Sequence, residues 1–293
     1  MLNYDEKYER YLTEIDQALD GYLNEADTLY QTVISAMRYS ILGAGKRVRA
    51  ILLIEFCKAC GGTQQLAMPF ACALEMIHAY SLIHDDLPCM DNDELRRGKP
   101  SCWKEFGETT ALLAGDGLLT KAFEAAASST APANLALRAM MELAKNAGTS
   151  GMLGGQVIDL EGEGKPVDEA RLLKMYSMKT GALINSAAKI GCILAGADEE
   201  KIALSHEFAE KIGLAFQIVD DILDVTGNEK ILGKPIGSDV QSHKTTFVAL
   251  HDLEYAKNKA IKLTEDAKSI LTKFALEDDF LYELTDRLAV REN

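Results

Sequence analysis

Proline is scarce in this chain: six in 293 residues, roughly 2% against a usual figure of about 5%. The six stand at positions 69, 88, 100, 132, 166 and 235, mostly beside polar or glycine-containing stretches where helices start or stop. Alternating Val/Ile/Thr runs are few as well, which argues against a large sheet. Basic residues are outnumbered, 31 Lys+Arg against 45 Asp+Glu, and the resulting formal net charge of −14 speaks against a nucleic-acid binder, which needs a basic face. No apolar run approaches the roughly 18 residues that span a bilayer, so no membrane span is expected. The start, MLNYDEKYERYLTE, is polar and acidic, unlike a signal peptide or a basic transit peptide. Six cysteines in a chain of this length make no disulfide framework and point to a reducing cytoplasm. Cys57-x-x-Cys60 has no second pair, and its apolar setting reads as buried structural thiols.

What remains is an ordinary globular composition, 47% apolar and 26% charged, rich in alanine and in three-and-four spacing of apolar residues. The pattern predicts an all-α fold in a single domain over 1–293. Helices are expected over 4–24, 28–42, from about 46 to 61, 68–87, 108–128, 133–147, 150–161, 168–195, 199–225, 245–274 and 278–290. Pro69 falls in the first turn of the fourth, where its missing N–H costs nothing. Leu87-Pro88 ends that helix, because a residue before proline avoids the α region. Between 226 and 244 lies a polar loop with three glycines and a proline, longer than most in a compact domain, and such loops are commonly functional.

Two acidic clusters stand out. The first is His84-Asp85-Asp86-Leu87-Pro88-Cys89-Met90-Asp91-Asn92-Asp93-Glu94, followed by Leu95-Arg96-Arg97-Gly98-Lys99. The second is Gln217-Ile218-Val219-Asp220-Asp221-Ile222-Leu223-Asp224. Helical spacing puts Gln217, Asp220 and Asp224 on one face, and His78, Ser81 and Asp85 on one face of the earlier helix. Like charges four apart destabilise a helix by about 0.2–0.5 kcal/mol per pair, and these are set among Ile, Leu and Val. A divalent cation resolves both problems, and hard oxygen ligands in twos and threes suit Mg²⁺ completed by substrate phosphates. A zinc site is disfavoured because the histidines at 78, 84, 206, 243 and 251 lack compact ligand spacing. The blander reading makes each cluster a polar helix end at the surface.

Basic residues complement the acids. Gly45-Lys46-Arg47-Val48-Arg49 opens a helix, Arg96-Arg97 follows the first cluster, and Lys179-Thr180, Lys234 and Lys244 lie further on. A helix N-terminus ringed by Lys and Arg is a natural anion site. Acids that need a metal, beside cations that do not, imply one polyphosphate bridged through metal and another held directly.

These blocks, in this order, resemble the trans-isoprenyl diphosphate synthases, most of all the bacterial short-chain branch that makes farnesyl diphosphate. The resemblance runs through GKRVR at 45–49, EMIHAYSLIHDDLPCMDNDELRRGKPS at 75–101, LLAGDGLL at 112–119 and GGQVIDL at 154–160. It continues through MKTGALI at 178–184, FQIVDDILD at 216–224 and GKPIGSDVQSHKTT at 233–246. The resemblance implies a helical bundle around a deep central cavity, usually a homodimer, binding three Mg²⁺ ions with substrate present. It implies that Asp85 and Asp91, with Asp86 alongside, and Asp220 and Asp224, with Asp221 in support, hold those ions. Lys46, Arg49, His78 and Arg97 correspond to residues that bind isopentenyl diphosphate; Arg96, Lys179, Thr180, Gln217 and Lys234 correspond to the allylic site, and Lys244 is expected to be a further substrate-binding residue. The implied reaction joins isopentenyl diphosphate to dimethylallyl or geranyl diphosphate through an allylic carbocation, giving farnesyl diphosphate. The loop at 226–244 with Lys234 is the expected lid. Tyr80 and Ser81, five and four residues before Asp85, are the implied chain-length residues, and at ~1.5 Å per residue they lie about 6–8 Å down the helix. A bulky ring at Tyr80 favours stopping at C15; smaller residues favour C20. Ala50 and Phe247-Val248 stand where the family commonly has Pro and Tyr-Pro, and Asn92 where Asp is frequent.

Four other readings fit less well. A histidine-aspartate phosphohydrolase needs a histidine on an earlier helix, and none precedes His78. A P-loop at Gly43–Lys46 fails because position 40 is Ser and Lys46 is followed by Arg47. A terpene cyclase of the same fold would not keep Lys46, Arg49 and Arg97 for a second diphosphate. A silent partner subunit usually loses aspartates that are intact here, and geranylgeranyl or geranyl diphosphate remain alternative products.

Overall fold

A computed structural model describes residues 3–26, 28–43, 45–226 and 245–289, about three quarters of them in helices. In chain order these are α1 (Tyr4–Tyr22), α2 (Gln31–Ile41), α3 (Val48–Ala59), α4 (Gln64–Asp85), α5 (Cys102–Phe106), α6 (Glu108–Ala127) and α7 (Ala133–Ala147). They continue with α8 (Met152–Gly162), α9 (Glu169–Tyr176), a π turn (Ser177–Gly181), α10 (Ala182–Leu194) and α11 (Glu199–Thr226). The last three are α12 (Phe247–Leu250), α13 (Leu253–Leu271) and α14 (Phe280–Ala289). A two-residue antiparallel ladder, Leu95–Arg96 with Lys99–Pro100, interrupts the helices after α4. The all-α expectation holds.

The helix boundaries follow local chemistry. Asn3 caps α1 through a reciprocal pair, accepting from the Glu6 N–H at 2.9 Å while Glu6 accepts from the Asn3 N–H at 3.0 Å. Tyr11, Ile15 and Leu19, four residues apart, form its buried stripe. The start of α4 differs from expectation: it begins at Gln64, and Pro69 is therefore inside the helix rather than in its first turn. Thr63 explains the shift, its hydroxyl accepting the Leu66 N–H at 3.2 Å as an N-cap. The expected single helix over 245–274 is broken at His251–Asp252, where Asp252 caps a new helix by accepting the Tyr255 N–H at 2.7 Å. The long helix expected over 168–195 carries the π turn in its middle.

At the centre of the bundle α4 is apolar around most of its circumference and packs on α1, α2, α3, α6 and α10. Contrary to the expectation of no membrane-length run, α4 is long and apolar enough by length and composition to cross a membrane. Yet 61% of its apolar window is buried inside the fold, as a core helix requires. A second, smaller core joins Leu172 and Tyr176 of α9 to Ile218, Val219 and Ile222 of α11, with Phe247 and the inner face of α13. One buried ionic cluster clamps the chain ends together. The Lys7 ammonium donates to Glu55 of α3 at 3.2 Å and to Asp278 at 2.9 Å, and Tyr11 donates to Glu55. All six cysteines are unpaired. Burial pushes the Cys57 thiol up to about 12, and the Cys60 sulfur lies 3.6 Å from that of Cys192.

Candidate active site

At the C-terminal end of α4 the chain turns sharply over itself. The Asp91 N–H donates to the Asp85 carbonyl at 2.9 Å, and the Met90 and Asn92 N–H groups donate to the Leu87 carbonyl at 2.8 and 3.1 Å. Asn92 has φ +55, a left-handed conformation that asparagine tolerates better than most residues, which accounts for its place in the turn. The turn brings Asp91 close enough to Asp85 for its charge to act on that carboxyl. Burial raises the Asp85 carboxyl to about 6; Lys179 opposes the rise, and Asp91 and Asp86 add to it. Among the described residues no side chain hydrogen-bonds or ion-pairs with Asp85.

The neighbouring aspartate behaves differently. Asp86 is 2% exposed and points into the hairpin, where the Arg96 Nε donates to both carboxylate oxygens at 3.0 and 3.2 Å. Arg96 also reaches Asp93. The hairpin turns at Arg97 (φ +53) and Gly98 (φ +75), two successive positive values that a two-residue turn of this hand requires. Adjacent arginines thus part: Arg96 is bound to Asp86, and Arg97 lines a cavity beside Lys46.

Two cavities adjoin at Arg49 and His78, which line both. The larger, about 390 Å³, receives Asp85, Lys179 and Thr180 at its polar end. Its deeper wall is formed by Tyr80, Ser81 and Met152, with the more exposed Leu112 and Leu153 also lining it. The second, about 370 Å³, is cationic, bounded by Lys46, Arg49 and Arg97, with Phe216 closing one side. Burial first, then the charges of Arg49, Arg97, Arg47 and Arg96, hold the His78 imidazole well below its ordinary range. It is neutral at pH 7, able to donate a hydrogen bond to an anion without adding charge. In the deep wall the Ser81 hydroxyl donates to the His78 carbonyl at 2.9 Å, and the Tyr80 ring stands edge-on to His84.

Lys179 and Thr180 owe their position to the π turn, a widened helical turn of the kind often found at functional sites. Two glycines let other helices press against it. A Cβ on Gly155 of α8 would lie 2.1 Å from the Lys179 backbone nitrogen, and one on Gly213 of α11 would lie 3.1 Å from the Gly181 Cα. Lys179 also pairs with Asp159 of α8 at 2.6 Å.

The second acidic cluster is tied to the same segment. Asp221, 5% exposed, accepts the Tyr176 hydroxyl at 2.5 Å and the Phe247 N–H at 2.6 Å. Tyr176 is the residue immediately before the π turn. Asp220 is half-buried and Asp224 buried on α11. Gln217, Asp220 and Asp224 do not line either cavity, although Phe216 lines the cationic one. Lys234, Lys244 and the expected lid at 227–244 lie outside the described residues. Among the described residues, no three His, Cys, Asp or Glu side chains form a group that could hold a metal ion. A half-buried carboxylate with a second one, Asp91, near enough to act on its charge, and no cation bonded to it among the described side chains, nonetheless fits Mg²⁺. That ion commonly takes one or two protein carboxylates and completes its shell with phosphate oxygens and water.

Four contributors were not singled out from the sequence. Gln156 lines the larger cavity with its amide nitrogen buried and unpartnered, and Asp159 pairs with Lys179. Their spacing of three in GGQVIDL was the available signal. His84 lines the same cavity and bonds the Leu112 carbonyl at 3.0 Å, and Arg47 is buried between the two basic residues of its motif.

Residues 30–278 match the model of the polyprenyl synthetase family. The chain is 43% identical to the farnesyl diphosphate synthase of Bacillus subtilis (strain 168), over 95% of each chain. It is 44% identical to the geranylgeranyl diphosphate synthase of Cyanophora paradoxa, covering 89% of this chain and 88% of that one. Its fold superposes with a TM-score of 0.84 and 32% identity on a geranyltransferase from Helicobacter pylori complexed with magnesium and isoprenyl diphosphate, covering 98% and 97% of the two chains.

Proposed function

The chain belongs to the polyprenyl synthetase family, and from that membership we propose that it is a Mg²⁺-dependent farnesyl diphosphate synthase. It would join isopentenyl diphosphate head-to-tail to dimethylallyl or geranyl diphosphate, the whole chain acting as one prenyl-synthase domain. The observation that carries the reading is the pair of adjoining cavities, one bearing Asp85 and Lys179, the other lined by Lys46, Arg49 and Arg97, with His78 between them.

The residues divide the work. Lys46, Arg49 and Arg97 hold the diphosphate of isopentenyl diphosphate, and His78 adds a neutral donor. Asp85 and Asp91, together with Asp220 and Asp224, are the carboxylates for Mg²⁺. When bound, the metal supplies charge that stabilises the allylic diphosphate as it leaves. Lys179 lends a cation to the same group, and Thr180 and the Lys179 carbonyl present negative dipoles to the allylic cation. The C3–C4 alkene of isopentenyl diphosphate attacks that cation, and the proton lost from the new chain passes to the departing diphosphate. Leu87, Met152 and Leu183 keep water from the reacting carbons. Tyr80 lies across the path of the growing tail, which supports a C15 product. Geranylgeranyl relatives of equal identity favour a second reading, a C20 product from the same site.

We place the enzyme in the cytoplasm, where six unpaired thiols are stable. A homodimer is supported by apolar side chains left exposed on two helices: Leu112 and Leu113 on α6, and Leu153 and Val157 on α8. Sedimentation velocity of the purified protein tests it. For the activity, labelled isopentenyl diphosphate is incubated with each primer, with and without Mg²⁺, and product length is measured. A C15 product that requires Mg²⁺ is expected. A predominant C20 product overturns the Tyr80 argument, and no condensation with any primer overturns the assignment in favour of a silent subunit.

A further inference from the structure

The geometry points to Arg47 as the positioning residue of the cationic cavity: it holds Lys46 and Arg49 on a second diphosphate without reaching that group itself. The inference rests on the isopentenyl diphosphate reading of that cavity.

Arg47 separates the two cations in sequence, yet its side chain is only 3% exposed and turns inward. Every part of its guanidinium is engaged. Nε donates to Asp16 of α1 at 2.9 Å, Nη1 to Glu75 of α4 at 3.4 Å, and Nη2 to the Ile41 carbonyl at the end of α2. One side chain therefore ties the start of α3 to three helices, α1, α2 and α4, of which α4 lines the cavity through Glu75 and His78.

Its backbone is equally unusual. Arg47 is the N-cap of α3 and has φ +47 and ψ +25, a left-handed conformation that a non-glycine residue keeps only where its surroundings enforce it. The ion pairs supply that enforcement. They fix the angle at which the loop enters α3, and so the directions taken by Lys46 just before and Arg49 two residues after. Two further bonds hold the same turn: Glu75 Oε1 accepts the Ala50 N–H at 3.2 Å, and the Tyr8 hydroxyl donates to the Lys46 carbonyl at 2.6 Å.

Charge adds a second effect. Glu75 lines the cationic cavity, where a bare carboxylate would repel a diphosphate. The Arg47 guanidinium beside it neutralises that charge, so removing Arg47 both frees the loop and exposes an anion to an anion.

The test is steady-state kinetics with both substrates varied. Arg47→Met is expected to raise KM for isopentenyl diphosphate by about 10- to 100-fold, the scale of losing a charge-assisted contact. KM for the allylic primer should stay within about twofold, and Arg47→Lys should recover most of the loss. In the Arg47→Met background, Glu75→Gln should lower the raised KM, because it removes the repelling charge while its amide oxygen still accepts the Ala50 N–H. An unchanged KM for isopentenyl diphosphate in Arg47→Met overturns the inference. So does an equal rise for both substrates, or a loss explained wholly by a smaller folded fraction in circular dichroism. Should the wild-type protein fail to condense, the functional reading fails instead. Calorimetry of inorganic pyrophosphate without Mg²⁺ then reads the cationic cavity directly: weaker binding by Arg47→Met supports the positioning role, and unchanged binding refutes it.

Discussion

Gly155→Ala would place a methyl group where α8 crosses the π turn. The added Cβ would stand 2.1 Å from the Lys179 nitrogen, 2.6 Å from the Lys179 Cα and 2.7 Å from the Met178 carbonyl carbon. All three are backbone atoms, so no side-chain rotation relieves the overlap. Ordinary contact begins near 3.4 Å, so α8 and the turn must part by about 1.3 Å. The ion pair from Lys179 to Asp159, one turn further along α8, holds the two segments together and would be strained as they part.

Overpacking of this kind costs about 1–3 kcal/mol of stability. The catalytic cost is larger, because a misplacement of about 1 Å in a reacting site can lower the rate roughly 100-fold, and here it falls on Lys179 and Thr180 together. Condensation kinetics and thermal melting of Gly155→Ala are compared with Gly21→Ala in α1, where an added Cβ meets nothing within 4 Å. The control should keep wild-type kinetics and gain up to about 1 kcal/mol, the helix preference of alanine over glycine. A folded Gly155→Ala enzyme with kcat within about threefold of wild type would refute the argument: either the turn yields without cost, or Lys179 and Thr180 do not act from where they sit.

Three further outcomes can be checked. Tyr80→Ala removes the ring from the deep wall of the larger cavity, and product analysis should show C20 or longer chains in place of C15. Lys7→Met leaves buried Glu55 with the Lys58 ammonium at 3.5 Å as its remaining cation, so the loss in urea unfolding should be measurable yet fall below the ~3–5 kcal/mol of a buried pair broken outright. His78 has a folded-state pKa below its unfolded value near 6.5, so above that pH both states are neutral and it contributes no pH dependence; as the pH falls further the unfolded chain takes up a proton that the folded chain resists. Stability should therefore drop below about pH 6.5, at up to about 1.4 kcal/mol per pH unit from this residue, and His78→Gln should remove that component in denaturant titrations at pH 5 and 7.

Much of the helical order was readable because apolar spacing, caps and breakers act locally. The stripe Tyr11, Ile15, Leu19 and the stop at Leu87-Pro88 needed no tertiary information. Where expectation and structure part, a competing local signal or a distant contact prevails. Pro69 lies inside α4 because the Thr63 cap starts the helix earlier, and Asp252 is a cap that the apolar rhythm on either side obscured. The π turn had no local mark: it depends on Gly155 and Gly213 admitting other helices, contacts made across the fold. For the site, spacing correctly grouped His78, Ser81 and Asp85, which share the larger cavity. It could not divide Arg96 from Arg97, because their separation arises from two left-handed residues in a hairpin too short to register as strands.

The two Asp-Asp pairs obey one physical rule. Neighbours on a helix point about 100° apart, so a pair cannot present both carboxylates to one cleft, and whichever turns inward must find donors or remain costly. In the first pair Asp86 turns inward and takes Arg96; in the second Asp221 does so and takes Tyr176 and the Phe247 N–H. Their predecessors, Asp85 and Asp220, stay half-exposed. The buried member of each pair anchors neighbouring segments of the chain: Asp86 braces the hairpin that aims Arg97, and Asp221 braces both the approach to the π turn and the start of α12. The doubled aspartates thus unite two requirements in adjacent residues, a half-exposed carboxylate on the outer side and an inward one that keeps the surrounding loops in register with it.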